Sequence, residues 1–141
     1  MANKLSAFIV DNDENTREII RNLIQDIDNV EITDVFNNIN DAYNEILKEK
    51  PNFVFVSTIN NSQDVFSQIE KITLINNKIK FIVMASSYDT NSVIKAMRAG
   101  AREFLPKPLI KEDFIKTINR LKDHFSGNES NTNCKIITTF S

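Results

Sequence analysis

Short apolar runs alternate along the chain with stretches in which apolar residues recur every three or four positions. Leu5–Val10 is mostly apolar and stops at Asp11-Asn12-Asp13. Ile19, Ile20, Leu23, Ile24 and Ile27 then mark one face of a helix. Asp13 stands at the N-cap position, with Glu14 favourable against the helix dipole. Val30–Phe36 alternates only in part, since Val35 and Phe36 follow one another, and it reads as a strand nearer a sheet edge. Ile39, Ala42, Tyr43, Ile46 and Leu47 give a second helix, ended by Lys50-Pro51. Phe53-Val54-Phe55-Val56 is continuously apolar and closes on Ser57, the pattern of a strand covered on both faces. Beyond a polar loop at Asn60-Asn61-Ser62, the residues Val65, Phe66, Ile69 and Ile72 predict a third helix. Lys80–Ala85 predicts a fourth strand and Ser86–Thr90 a polar turn. Val93, Ile94, Ala96 and Met97 line a fourth helix closed by Gly100. Arg102–Leu105 predicts a short fifth strand. Ile110, Phe114, Ile115, Ile118 and Leu121 predict the last helix.

Five β-α units joined by short loops imply an α/β fold, a doubly wound parallel sheet with right-handed crossovers and strand order 2-1-3-4-5. No internal repeat is visible. In such sheets chemistry sits beyond the carboxyl ends of the strands, on either side of the point where strand order reverses. The ends of strands one, three, four and five bring Asp11 and Asn12, Ser57, Ala85 and Lys107 toward one place.

Composition narrows the chemistry. A chain of 141 residues suits one domain with a proper core. The net charge of −2 argues against bulk attraction to nucleic acid or to an anionic membrane. No apolar run is long enough to span a bilayer, and the first residues lead straight into a strand with no signal-peptide pattern. Cys134 is the single cysteine, which excludes an internal disulfide and a thiolate zinc cluster, and the lone His124 argues against a His-based metal site. With two glycines, Gly100 and Gly127, the chain has neither a dinucleotide fingerprint nor a Walker-type loop. A cytoplasmic location is expected.

Val10-Asp11-Asn12-Asp13 and the run Met97-Arg98-Ala99-Gly100-Ala101-Arg102-Glu103-Phe104-Leu105-Pro106-Lys107-Pro108 carry a resemblance. Over about residues 4–125 the chain resembles the receiver domains of response regulators, the CheY-like family. The resemblance implies a cis bond before Pro108 that aims Lys107 into a pocket. Active receivers carry two adjacent acids after strand one, an acceptor aspartate after strand three, a serine or threonine after strand four, and this lysine. Here Asp11 matches the first acid, but Asn12 stands at the second and Ser57 at the acceptor. Ala85 stands at the hydroxyl position, with Ser86 adjacent. Asn61 and Val65 occupy positions that usually carry Pro and Gly.

Magnesium demands hard oxygen ligands, with one or two carboxylates to offset dehydration, and both carboxylates expected to touch it have become an amide and a hydroxyl. The expectation is a pocket without metal, an Asp11–Lys107 contact, Asp13 outside as a helix cap, and Ser57 as a structural residue with no base to activate it. Phe104 falls at the family's aromatic switch position and is expected to be fixed packing. Lys95, Arg98, Arg102, Glu103, Asp113 and Arg120 lie on the face through which receivers often dimerise, and a partner interface there stands beside a merely solvated surface. The Asn-rich loops at Asn37-Asn38, Asn60-Asn61 and Asn76-Asn77 read as composition bias.

After Phe125 the character changes. Residues 126–133 read as a flexible linker. Residues 134–141, including Cys134-Lys135-Ile136-Ile137-Thr138-Thr139-Phe140, read as the opening strand of a further domain, or else as a sixth strand or tail on this one. Within receivers, the run from Ala96 to Leu109 is similar to the N-terminal domain of the TadZ/CpaE proteins of Flp (Tad) pili, and Lys135–Ser141 to the strand before the phosphate loop of their MinD/ParA-like ATPase. That resemblance implies a non-enzymatic pseudo-receiver, an interaction and localisation module. ATP and Mg²⁺ would belong only to the further domain. The implied partners are pilus-assembly proteins or a polar landmark, with a homodimer as a further option, and the implied location is polar or peripheral to the inner membrane through those partners. The other reading is a signalling receiver that still accepts a phosphoryl group. A flavodoxin-like enzyme is the weakest, since no flavin phosphate loop is evident.

Overall fold

The computed structural model describes residues 4–58, 62–123 and 125. The proposed linker and following strand at 126–141, the Asn60-Asn61 loop, His124 and Cys134 lie outside the described residues. Ten elements alternate strictly: β1 (Leu5–Val10), α1 (Glu14–Gln25), β2 (Val30–Phe36), α2 (Ile39–Glu49), β3 (Phe53–Ser57), α3 (Ser62–Ile75), β4 (Lys80–Ala85), α4 (Thr90–Ala99), β5 (Glu103–Pro106) and α5 (Lys111–Lys122). All strand pairs are parallel and the order is β2-β1-β3-β4-β5, as expected. β5 runs one residue later than its apolar pattern suggests. Arg102 donates its N–H to Phe81 O, and the ladder proper pairs Glu103 with Ile82 through Pro106 with Ala85.

Alternation along the central strands divides the core into two layers. Phe8, Val10, Val54, Val56, Phe81 and Val83 pack under α2, α3 and α4. Ala7, Ile9, Phe53, Phe55, Ile82 and Met84 pack under α1 and α5. Phe55 stacks on Phe114 of α5 at 5.3 Å between ring centroids. Truncating one such buried phenylalanine costs about 3–5 kcal/mol, so these rings fix how α5 sits, and with it the Lys107 turn just before it.

The imperfect alternation of β2 has a local cause. The β1–β2 register slips between Ala7 and Phe8, whose partners are Ile32 and Asp34, so Thr33 is an extra residue on the edge strand. A bulge inverts the in–out parity beyond it. Ile32 and Val35, three apart, therefore both face the α1–α5 layer.

Helix ends follow their sequence signals. Asp13, Asn38 and Asp89 cap α1, α2 and α4, each accepting a backbone N–H. Lys50 ends α2 in the left-handed region at φ 52°, immediately before Pro51. Gly100 closes α4 at φ 121°, where an added Cβ would lie 2.7 Å from Thr73 Oγ1. Because the helices run antiparallel to the strands, their N-termini gather at the Asp11 end of the molecule and their C-termini at the other. Phe125 lies at that second end, edge-on to Phe53 at 5.4 Å and beneath Lys80 Nζ at 5.6 Å.

Candidate functional site

The side chains at the carboxyl ends of β1, β3 and β5 meet. Asp11 is buried, its side chain only 1% exposed. Its Oδ1 accepts the N–H of Asp13 at 2.9 Å and its Oδ2 accepts from Lys107 Nζ at 2.9 Å. Lys107 Nζ also donates to Ser57 Oγ at 2.9 Å. The Lys107–Pro108 peptide is cis, as the resemblance implied, and Lys107 N donates to Ala85 O at 2.9 Å. Asp11, Ser57 and Lys107 thus form one hydrogen-bonded unit, and Ala85 backs it, buried and without a hydroxyl. Asn12 and Ser86 are exposed. Asp13 points away, its carboxylate accepting from Thr16 Oγ1 at 2.7 Å and from the N–H of Asn15 at 3.3 Å. The Thr16 hydroxyl, foremost, holds this carboxyl below the usual carboxylate range.

A cleft of about 280 Å³ opens beside the unit, lined among others by Asn12, Asn38, Ser57, Asp64 and Val65. Arg17 fixes its wall. Its Nε donates to Asp11 O at 2.5 Å and its guanidinium to Asn37 Oδ1 at 2.6 Å, so one α1 side chain ties the loop after β1 to the loop after β2. Sequence reasoning missed Arg17. The available signal was its place one turn beyond the Asp13 cap, on the helix side that turns back toward Asp11. At Asn37-Asn38 and Asn76 the structure shows more than composition bias. Asn37 holds Arg17, Asn38 caps α2 through the N–H of Asp41, and Asn76 accepts the N–H of Lys78. Short amides stand there because each satisfies a loop backbone or a cation that apolar residues could not.

Phe104 is half-buried against the α2–α3–α4 core and packs on the half-exposed Tyr88, with ring centroids 5.3 Å apart. Of the proposed face residues, Lys95, Arg98, Arg102, Asp113 and Arg120 are exposed and Glu103 is partly covered. Glu103 and Arg120 pair with each other, so those two charges are already answered within the chain. Ile94 and Met97 lie exposed between the cations of α4. Among the described residues, no cluster of three or more His, Cys, Asp or Glu side chains is placed to hold a metal ion. No helix there is long and apolar enough to cross a membrane.

A buried aspartate and a lysine at the open end of a β2-β1-β3-β4-β5 sheet, with the lysine before a cis proline, define a receiver. The response regulator receiver domain family matches residues 7–119, and the chain belongs to that family. Among curated proteins it is 28% identical over 118 residues to the sensory transduction protein LytT of Bacillus anthracis, covering 84% of this chain and 47% of that one. The chain therefore spans about half the length of the curated relatives it matches. Among solved structures, a response regulator from Thermotoga maritima superposes with a TM-score of 0.76 at 19% identity, covering 85% of this chain and 98% of that one. A pilus assembly protein (cpaE) from Burkholderia thailandensis superposes with a TM-score of 0.71 at 14% identity, covering 84% and 98%. At these identities the structural likeness shows the fold alone.

Proposed function

We propose that this chain is a pseudo-receiver, a receiver domain that takes no phosphoryl group and serves as the interaction and localisation module of a Flp (Tad) pilus-assembly ATPase. The observation that carries the first half is the closed Asp11–Lys107–Ser57 unit. Each Asp11 oxygen already has a partner, and the Lys107 ammonium offsets its charge. An amide and a hydroxyl occupy the places of the other two acids. This donor set does not suit Mg²⁺, which keeps most of its water and asks for carboxylates in return. Ser57 has Lys107, a cation, as its neighbour, and a cation is no base for activating a hydroxyl. The likeness to a pilus assembly protein supports the second half, together with the resemblance of the Ala96–Leu109 run. On this reading the domain works through its outer faces.

Incubation with Mg²⁺ and acetyl phosphate, followed by intact-mass measurement, tests it. No phosphoryl increment is expected. An increment that maps to the Asp11–Ser57 cleft overturns the proposal and favours the second reading, a signalling receiver. That second reading has support in the retained Asp11 and Lys107 and in relatives that are sensory transduction proteins.

A further inference from the structure

The net charge of −2 conceals an uneven distribution. In the α2–α3–α4 layer the helix N-termini carry Asp41, Asp64 and Asp89. The opposite end of the same layer carries Lys48 and Lys50 from α2, Lys71 and Lys78 around the end of α3, and Arg98 and Arg102 around the end of α4. All six are exposed, and among the described residues none of them forms an ion pair. The acids nearby are Glu49 at the end of α2 and, one turn back, Glu45 on α2 and Glu70 on α3, three against six cations. Matching helix dipoles explains a cation in a last turn. It does not explain Lys50, Lys78 and Arg102, which lie beyond the helix ends.

Nor does it explain what stands among them. α3 is the middle helix of the layer, in contact with both α2 and α4. Its last two residues, Leu74 and Ile75, are 82% and 65% exposed, the most exposed large apolar side chains described. Lys71, Leu74 and Ile75 share a helix face, and Lys78 follows in the next turn. Neither apolar side chain lines any of the clefts at the sheet edge, the aspartate end or the α4 face. They stand exposed where cations outnumber acids.

We infer that this end of the domain is a docking surface for an anionic phospholipid bilayer, with Leu74 and Ile75 entering the headgroup layer and the six cations resting over it. Two exposed apolar side chains among cations suit a fluid anionic interface that closes around them, whereas a folded protein partner would have to supply a pocket of matching shape. Field strength near the surface depends on where charges lie and not on their sum. Each cation held at an anionic leaflet raises partitioning roughly five-fold. Each apolar side chain, partly inserted, adds roughly ten-fold. The inference is independent of whether the Asp11 cleft accepts a phosphoryl group.

Flotation of the 141-residue chain with vesicles tests it. The chain is expected to float with phosphatidylcholine–phosphatidylglycerol vesicles, to stay behind with phosphatidylcholine alone, and to be released by added salt. Leu74→Ser/Ile75→Ser changes exposed residues, so its circular dichroism should match the parent while flotation falls roughly a hundred-fold. Lys71→Gln/Lys78→Gln should reduce it roughly twenty-five-fold. Failure to float with the anionic vesicles overturns the inference, as does flotation that survives the Leu74/Ile75 change. A lipid-free dimer that the same change abolishes overturns it in favour of a second copy. Binding of a protein partner through Leu74 and Ile75 without anionic flotation overturns it in favour of that partner.

Discussion

Replacing Lys107 with methionine isolates what holds the open end of the sheet together. The substitution keeps most of the side-chain volume and removes the ammonium. Asp11, 1% exposed, then keeps one hydrogen bond, from the N–H of Asp13, and loses its counter-charge. Breaking a buried pair from one side costs about 3–5 kcal/mol, because the remaining charge is stranded. Lys107 itself is 13% exposed, so the pair is not fully dry, and the lower end applies, about 3 kcal/mol. For a domain of this size that lowers the melting temperature by about 10 °C. Asp11→Asn should cost less, about 1 kcal/mol, since Lys107 can still meet Ser57 and water and an amide oxygen can still accept from Asp13. The double variant should lose well less than the sum of the two single losses. Thermal and urea denaturation followed by circular dichroism measure all three. A Lys107→Met variant within about 2 °C of the parent, or losses that simply add, would show that the pair does not tie the pocket.

Asn12→Asp/Ser57→Asp rebuilds a trio of acids with Asp11. Like charges about 4 Å apart repel by about 4 kcal/mol at an effective dielectric of 20. The variant should therefore melt below the parent without Mg²⁺ and recover with it, while the parent melts alike in both. Gly100→Ala places a Cβ in a left-handed conformation and against Thr73, and should cost at least about 2 kcal/mol in urea denaturation. Thr73→Val removes a buried hydroxyl that has no partner among the described residues, and should raise the urea midpoint slightly. Asp89 is held below the usual carboxylate range, chiefly by the backbone N–H of Ser92. Its folded pKa is thus below its unfolded one, so it contributes stability above about pH 4 that is lost as pH falls through the folded value. Asp89→Asn keeps the cap and removes the titration. Its urea midpoint should match the parent near pH 7 and fall less steeply on acidification.

The fold was legible because each level of the chain agrees with the next. Continuous apolar runs mark strands covered on both faces, and Asp13, Lys50-Pro51 and Gly100 mark helix ends by local chemistry that needs no tertiary context. The site was legible as far as it lies at strand ends, since topology alone brings Asp11, Ser57 and Lys107 together. What stayed hidden depends on register and reach. The Thr33 bulge is a property of the β1–β2 pair and looks in the sequence only like poor alternation. Arg17 is an ordinary surface-type residue until its side chain is seen folding back over Asp11 and across to Asn37. The basic end is hidden for a different reason. Its six cations are scattered from Lys48 to Arg102 and become neighbours only when three helices lie side by side.

The packing of Phe125 on Phe53 pins the chain just beyond α5 to the end of the sheet opposite Asp11. Phe53 opens β3 and Ser57 closes it, so the strand itself separates the anchor from the cleft by about 13 Å. Phe125 therefore lies at the opposite end of the sheet from Asp11, with the height of the core between them. The aromatic anchor works as a mooring that holds the end of α5 at the same end of the sheet as the lysine-rich surface, on the opposite face.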